Sequence, residues 1–317
     1  MKTFKTNTDA HIPALGLGTW KMTDEEAASS VQTAIETGYR HVDCAWIYQN
    51  EKGVGQAFNA CIRNKTVKRD DLWVTSKLWN DRHRPEHVED ALKESLGYLN
   101  LSHLDLYLIH WPIAQTFGVA RPESGTDYVG LDEVPIVETW QALEECVAKG
   151  LCKNIGVSNF SASKIDALMQ SAKIKPVMNQ VECHPFLQQK NLQKTCQAHD
   201  ILLTAYSPLG SGDRPDNLKN ENEPSLLKNE TLNSIAREHN ATAAQVLLAW
   251  AIQRGTIPIP KSSNAQRQKE NLAAAELQLT ADQTNSIDAL DANFRYVDGK
   301  FWEVENSPYT AASIWDE

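Results

Sequence analysis

Two patterns of apolar and polar residues, one typical of strands and one typical of helices, alternate along almost the whole chain. Eight short apolar runs predict strands, and most are followed by a segment whose apolar residues recur every three or four positions, as in amphipathic helices. Three of these helical segments stop at a glycine, Gly38, Gly150 or Gly255, as helices commonly do. The predicted strands are LGLGT (15–19), RHVDC (40–44), LWVTSK (72–77), LDLYLIH (104–110), CKNIGVS (152–158), PVMNQVE (176–182), ILLTAYS (201–207) and TIPIPKS (256–262).

This alternation predicts an α/β fold with a parallel sheet. Eight strands are the number that closes a (β/α)8 TIM-type barrel, and an open doubly wound sheet is the alternative. We expect the whole chain, 1–317, to form one such domain. An N-terminal hairpin with its turn near Asn7 to Asp9 would cap the bottom of the barrel.

Three irregular segments interrupt the rhythm. Residues 112–135 and 208–230 are rich in Gly, Pro, Asp and Asn and each follows a strand, so both are expected at the C-terminal face of the barrel, where active sites lie. The tail from Asn293 onward carries aromatic residues. It forms either a lid over the site or a segment packed on the outside of the barrel.

Composition narrows the class of protein. A hydrophobic fraction of 41% and a charged fraction of 23% are typical of a folded globular chain. The formal charge of −10 argues against a nucleic-acid surface, and no apolar run approaches the ~20 residues of a membrane span. With no signal peptide at the start, a cytoplasmic location is expected. The six cysteines show no CxxC spacing, no metal site is predicted, and ECHP (182–185) is interpreted as strand-end packing.

Polar residues end three consecutive predicted strands. Asp43, Lys77 and His110 stand at the ends of strands two, three and four, and Tyr48 follows five residues after Asp43. Strand ends converge in a barrel, so these side chains are expected to meet. Lys77 lies in an apolar setting and needs a partner, which Asp43 provides. A lysine beside Tyr48 would lower the tyrosine pKa from ~10 and make it a proton donor to a carbonyl oxygen.

A series of motifs, in fixed order, resembles the signatures of the aldo-keto reductase superfamily. They are GLGTWK, GYRHVDCAWIYQNE, VTSKLW, LDLYLIHWP, IGVSNF, VMNQVECHP, TAYSPLGSG and IPKSSNAQRQKEN, and they cover about Ile12 to Ala292. The resemblance implies a (β/α)8 barrel that binds NADPH without a Rossmann fold. It also implies reduction of aldehydes or ketones to alcohols by hydride transfer from nicotinamide C4.

The resemblance assigns roles to the polar residues. Tyr48 matches the general acid, Lys77 and Asp43 the pair that tunes it, and His110 the residue that orients the carbonyl. Ser158, Asn159 and Gln180 match the groups that bind the nicotinamide carboxamide. The other implied cofactor contacts are Thr19, Trp20 and Lys21 after strand one, the stacking ring of Tyr206, and Ser207, Leu209 and Ser211 at the pyrophosphate.

The motif IPKSSNAQRQKEN is similar to the part of the family that binds adenosine and its phosphate. Lys261, Ser262 and Arg267 match the 2′-phosphate clamp, and Glu270 and Asn271 match the adenosine contacts. Two cations on one phosphate favour NADPH over NADH. Asn264 lies close to this clamp, which leaves some use of NADH open.

Tryptophans are the implied substrate contacts. Trp20, Trp46, Trp79 and Trp111 follow strand ends or lie in the Tyr48 loop, and Trp302 is the candidate lid residue in the tail. By resemblance, Asp213 reaches Lys21 when cofactor binds and closes the loop. The expected protein is a monomer whose partner is a small carbonyl substrate; sugar, aromatic and lipid-derived carbonyls all remain open.

Three other functions compete with this interpretation. A short-chain dehydrogenase needs a glycine-rich turn before a helix, whereas Gly16 and Gly18 precede Trp-Lys. A Schiff-base lyase needs a lysine of depressed pKa, and Asp43 beside Lys77 acts in the opposite sense. A regulatory subunit that binds NADPH and turns over slowly also remains open.

Overall fold

The computed structural model describes residues 2–219 and 222–317. Within them the strands are β1 (Thr3–Lys5), β2 (His11–Pro13), β3 (Leu17–Gly18), β4 (His41–Asp43), β5 (Trp73–Leu78), β6 (Leu104–Ile109), β7 (Ala114–Gln115), β8 (Tyr128–Val129), β9 (Cys152–Ser158), β10 (Met178–Glu182), β11 (Leu202–Tyr206) and β12 (Thr256–Pro258). The helices are α1 (Asp24–Thr37), α2 (Glu51–Arg63), α3 (Pro85–Leu99), α4 (Ile136–Ala148), α5 (Ala162–Met169), α6 (Lys190–Ala198), α7 (Glu230–Glu238), α8 (Ala243–Gln253), α9 (Ala265–Ala273), α10 (Ala281–Asp288) and α11 (Ala311–Trp315).

The eight predicted strands form one parallel sheet that closes on itself. Neighbours run in the order β3, β4, β5, β6, β9, β10, β11 and β12. The two outer strands meet where the Gly16 N–H donates to Pro258 O at 3.1 Å and the Gly18 N–H to Pro260 O at 3.2 Å. The seam is tight, since a Cβ on Gly18 would lie 2.8 Å from Ile259 O. The (β/α)8 prediction is confirmed, and the open doubly wound alternative is wrong.

Local sequence explains where the helices begin and end. Thr23 starts α1 with a reciprocal capping box to Glu26, and Pro85 is the first residue of α3. Gly38 ends α1 with a φ of 117°, a conformation that residues with a Cβ rarely adopt. Gly150 and Gly255 lie two residues beyond α4 and α8. The predicted helix ends are therefore confirmed.

The core has an inner and an outer part. The larger outer cluster packs strand residues against the helices and includes the fully buried Trp140. The inner cluster joins Leu106 and Leu108 of β6 with Met178 of β10 and Ile257 of β12, strands that are not all neighbours and can meet only inside the barrel. Ile12 of the N-terminal hairpin belongs to this inner cluster, so the hairpin caps the barrel as predicted.

The tail lies across the C-terminal face. Trp302, Tyr309 and Trp315 pack with Trp79 and Trp111, which follow β5 and β6. The alternative of a tail on the outside of the barrel is therefore wrong for the described residues. The 112–135 loop also reaches this cluster, through Tyr128 of the small antiparallel pair formed by β7 and β8.

The cysteine side chains are part of the buried core. All six cysteines have free thiols and are at most 1% exposed. No helix in the described residues is long and apolar enough to cross a membrane. The predicted 208–230 loop includes positions 220 and 221, which lie outside the described residues.

Candidate active site

The four side chains predicted to meet do meet at the C-terminal ends of β4, β5 and β6. Lys77 Nζ donates to Asp43 Oδ1 at 2.6 Å and to Cys44 O at 2.7 Å. It lies 3.5 Å from Tyr48 Oη, which is carried by a short 3-10 turn, Trp46–Tyr48. His110 follows β6 directly, with its ring edge-on to Tyr48 at a centroid distance of 5.9 Å. Three adjacent strands thus place these groups around one point.

The charges of Lys77 and Asp43 are buried together. Both Asp43 carboxylate oxygens are bonded, because Oδ2 accepts a 2.6 Å hydrogen bond from Gln180 Nε2. Burial is the largest single influence on Lys77 and pulls its pKa down, but Asp43 and Tyr48 together outweigh it and raise the pKa above its ordinary value. Lys77 is therefore an ammonium at neutral pH. A Schiff-base lysine would need the opposite shift.

The pKa of Tyr48 moves against the sequence prediction. Burial raises the pKa of the phenol, and this effect exceeds the lowering by the Lys77 ammonium. The predicted net fall in the pKa of Tyr48 is therefore wrong in direction, although the predicted influence of Lys77 is present. Tyr48 keeps its proton at neutral pH, as a proton donor must.

His110 is a neutral imidazole in this environment. It is 7% exposed, and burial, followed by the nearby Lys77 charge, drives its pKa well below 6.5. Its Nδ1 atom is buried and has no hydrogen-bond partner among the residues that the structure describes. A neutral imidazole can donate one hydrogen bond to a carbonyl oxygen without competing with Tyr48 as the acid.

A cavity of about 820 Å³ opens above these residues. Tyr48, His110 and Asp43 line it, whereas Lys77 lies behind the wall with no exposed surface. Aromatic residues form one side, as predicted: Trp20, Trp79, Trp111 and Trp302 all line the cavity. Trp302 packs 5.9 Å from Trp79 and 5.6 Å from Trp111 between ring centroids.

Trp46 differs from the prediction. It packs against the aromatic cluster but is not among the residues that line the cavity, and its neighbour Ile47 takes that position. Within the 3-10 turn, successive side chains point in different directions. The turn therefore presents Ile47 and Tyr48 to the cavity.

The predicted carboxamide-binding residues form a hydrogen-bonded group across β9, β10 and β11. Ser158 Oγ donates to Gln180 O at 2.8 Å, and Asn159 Nδ2 donates to His110 O at 2.9 Å. Tyr206 Oη donates to Asn159 Oδ1 at 2.8 Å. All four side chains line the cavity beside His110. Asn159 has a φ of 63°, a conformation uncommon for a residue with a Cβ and frequent at functional sites.

Positive charge collects at the opposite end of the cavity. Thr19, Lys21 and Lys261 line this part of the wall together with Ser207, Leu209 and Ser211. Lys21 Nζ lies 2.5 Å from Asp213 Oδ1, so the predicted contact between these residues is present. Lys261 Nζ approaches the other oxygen of Asp213 at 4.0 Å, which the sequence did not predict.

The remaining predicted cofactor residues lie just before α9 or within it, and none of them lines the cavity. Asn264 is the helix cap and accepts a 2.9 Å bond from the Arg267 N–H, while Ser262 is buried beneath the turn. Arg267 is exposed and has no ion pair within the described residues. Glu270 accepts from Gln266, and Asn271 is only 4% exposed.

Comparison with known proteins agrees with this architecture. The profile of the Aldo/keto reductase family matches residues 14–292. The chain is 49% identical to an aldo/keto reductase of Synechocystis sp., over 100% of this chain and 97% of the relative. It is 42% identical to aldo-keto reductase family 1 member A1-A of Danio rerio, over 97% of each chain, and 44% identical to the member A1 of Gallus gallus, over 90% and 88%.

The chain belongs to the aldo/keto reductase family. An aldo/keto reductase is an oxidoreductase that acts on small carbonyl compounds, and the family generally uses NAD(P)H. The predicted enzyme class is therefore confirmed, and the short-chain dehydrogenase and lyase alternatives are wrong.

The residues of this aldo/keto reductase fit an extended dinucleotide. The cavity joins a cationic end, with Lys21 and Lys261, to an amide-rich end at Asn159 and Gln180. Outside this lining, α9 begins four residues after Lys261 and carries the exposed Arg267 in its first turn. Cationic and amide side chains are of the kinds that bind phosphates and a carboxamide.

Sequence reasoning missed several parts of the reductase site. Arg121 and its neighbours in the 112–135 loop line the cavity, and Trp79 Nε1 holds that loop by donating to Ala120 O at 2.8 Å. Tyr296 and Val297 of the tail also line it. Glu182, in the motif interpreted as strand-end packing, accepts both of their backbone N–H groups. A buried glutamate at a strand end was the available signal.

Proposed function

We propose that this aldo/keto reductase reduces aldehydes or ketones to alcohols with NADPH, and that Tyr48 is the general acid. The observation that carries the proposal is the position of Lys77 Nζ, 2.6 Å from Asp43 and 3.5 Å from Tyr48 Oη, behind the wall of a deep cavity. This arrangement places a proton donor on the cavity surface and a fixed positive charge directly behind it.

His110 and Tyr48 both act on the carbonyl oxygen, and Lys77 acts on Tyr48. NADPH, when bound, supplies a hydride from nicotinamide C4 to the carbonyl carbon. Neutral His110 donates a hydrogen bond to the oxygen, and Tyr48 transfers its proton there as negative charge develops. An alkoxide is a much stronger base than a phenolate, so the raised pKa of Tyr48 does not prevent this transfer. Lys77 then stabilises the phenolate left on Tyr48.

Cofactor choice follows from the cationic end of the cavity. Lys261 and Arg267 flank the start of α9 and together favour a 2′-phosphate, through charge-assisted hydrogen bonds that NADH cannot form. Ser262 lies in the same turn. We therefore expect NADPH to be the preferred cofactor and NADH to support slower turnover.

The aromatic wall bears on the substrate. Trp20, Trp79, Trp111 and Trp302 give the cavity an apolar side next to a small polar centre at Tyr48 and His110, where the Trp79 and His110 ring centroids are 5.0 Å apart. Such a surface favours carbonyl compounds with flat or apolar substituents. We expect the reductase to act on them as a cytoplasmic monomer, with no nucleic-acid partner, in keeping with its formal charge of −10.

The decisive test is Tyr48→Phe. This change removes one hydroxyl from the cavity wall, so we expect turnover of an aromatic aldehyde with NADPH to fall by at least about 10²-fold. NADPH affinity, measured by tryptophan fluorescence titration, should stay within about twofold. Tyr98→Phe is the matched control, because Tyr98 lies on α3, does not line the cavity and donates its hydroxyl to Glu94. Full activity in Tyr48→Phe would overturn the proposed role.

A further inference from the structure

Tyr296 lies where the tail meets the loop that follows β11. It is 4% exposed and lines the cavity. Its backbone N–H donates to Glu182 Oε1 at 2.6 Å, and the Val297 N–H donates to Glu182 Oε2 at 2.7 Å. Glu182 is fully buried at the end of β10 and also bonds His184 Nε2 at 2.9 Å. The barrel therefore fixes the Tyr296 backbone, independently of the loop.

The Tyr296 side chain contacts the 208–219 loop directly. Its ring packs against Gly210, where an added Cβ would meet the ring at 3.3 Å. The Arg214 guanidinium lies 5.3 Å from the ring centroid. Tyr296 Oη donates to Pro224 O at 2.7 Å, which lies beyond the 208–219 loop in the chain. One side chain thus touches that loop at Gly210 and Arg214, and a later segment at Pro224.

Arg214 organises the loop at that contact. It is 2% exposed, and it donates to Ser211 O and to Leu218 O, each at 2.9 Å. Its Nη2 pairs with Glu223. The preceding residue, Asp213, forms the 2.5 Å contact with Lys21 across the cavity. Because Asp213 and Arg214 are adjacent, a backbone movement of the loop that separates Asp213 from Lys21 also moves the guanidinium against which Tyr296 packs.

The tail continues from Tyr296 toward the substrate end of the cavity. Val297, Asp298 and Trp302 follow Tyr296 along the cavity wall, and Trp302 packs on Trp79 and Trp111. We propose that Tyr296 is a positioning residue that couples closure of the 208–219 loop over the cofactor to the placement of the tail wall of the substrate pocket. This inference rests on the proposed function, because it assigns the two ends of the cavity to cofactor and carbonyl substrate.

The test asks whether a change at Asp213 reaches the substrate through Tyr296. Asp213→Ala removes the contact with Lys21 and should speed NADP⁺ release, measured by stopped-flow tryptophan fluorescence. With Tyr296 present, we expect the same change to raise the KM for 4-nitrobenzaldehyde by about fivefold or more. In a Tyr296→Leu background, Asp213→Ala should still speed NADP⁺ release but leave the KM within about twofold of that background.

The outcomes separate coupling from a merely structural role. If Asp213→Ala leaves the KM unchanged in the otherwise native protein, or raises it equally in both backgrounds, the coupling is wrong. Tyr296→Phe keeps the ring and loses only the bond to Pro224, so it should preserve most of the transmitted effect. If Tyr296→Leu does not fold, a variant on the loop side of the contact takes its place in the test. Arg214→Met should reduce the transmitted effect at least twofold, and an unreduced effect overturns the inference.

An error in the proposed function would give a different result from an error in the coupling. If the unaltered protein does not oxidise NADPH with any carbonyl in a panel, the function is wrong and no KM exists to be coupled. If it turns over normally while the Asp213 and Tyr296 changes act independently, only the coupling is wrong.

Discussion

At the scale of single residues, Lys77 controls the electrostatics of the site. Its ammonium has no exposed surface and is held by Asp43 and Cys44 O. It lowers the pKa of His110 and opposes the rise in the pKa of Tyr48 that burial causes. Burial is the larger cause of both pKa shifts, and this one buried positive charge adds to it at His110 and opposes it at Tyr48.

These pKa shifts predict the pH dependence of reduction. Tyr48 must be protonated to act, and its pKa lies above 10, so the rate should fall only above about pH 10. The pKa of His110 lies well below 6.5, so the imidazole stays neutral above that pH. We therefore expect kcat/KM for an aldehyde to be flat between about pH 6.5 and 10. A pH profile with an inflection near 7 would contradict this assignment.

The limits of sequence reasoning at this scale are physical. The identities and the meeting of Asp43, Tyr48, Lys77 and His110 followed from their places at strand ends, because parallel strands in a barrel converge. The sign of the Tyr48 shift did not follow, because it depends on how completely the loop buries the phenol. Neighbouring charges can be inferred from sequence order, whereas desolvation depends on packing.

At the scale of elements, the tail completes the pocket. Trp302 is 4% exposed and contacts Trp79, Trp111 and Tyr128. Short-range pattern identified the tail as aromatic but left its position open, since nothing in its own sequence says which surface it covers. The Glu182 carboxylate, which is far away in the chain, holds the tail at this surface by accepting the Tyr296 and Val297 N–H groups.

Removal of the Trp302 ring tests the role of the tail. We expect Trp302→Ala to raise the KM for an aromatic aldehyde about tenfold, or about 1.4 kcal/mol, because a buried ring of the cavity wall is lost. NADPH affinity should change little. Phe117→Ala is the control: Phe117 is 53% exposed and does not line the cavity. Equal effects of the two substitutions would argue against a tail contact with substrate.

At the scale of the whole molecule, the barrel depends on one close seam. All eight strands were predictable because each is a short apolar run between helical segments. Their closure was inferred only from their number. The structure shows how closure happens: β3 approaches the Pro258–Lys261 segment so closely that Gly18 has no room for a side chain.

Substitution at this seam should lower stability. Gly18→Ala places a Cβ 2.8 Å from Ile259 O, a backbone atom that cannot move alone, so we expect a loss of about 1–3 kcal/mol in the free energy of unfolding. Gly97→Ala is the control, and the opposite effect on stability is expected from it. Gly97 lies within α3 with nothing near its added Cβ, so that change should stabilise the protein by about 0.5–1 kcal/mol. Urea denaturation measures both, and a neutral Gly18→Ala would mean that the seam can widen.

The burial of every cysteine has a consequence for an enzyme that handles aldehydes. Unsaturated aldehydes alkylate thiolates, yet each of the six thiols is at most 1% exposed, and burial raises the pKa of Cys146 and Cys183 to about 11. The folded protein therefore presents no exposed cysteine thiol to such an aldehyde. We expect unsaturated aldehydes to inactivate it more slowly than a protein with an exposed cysteine.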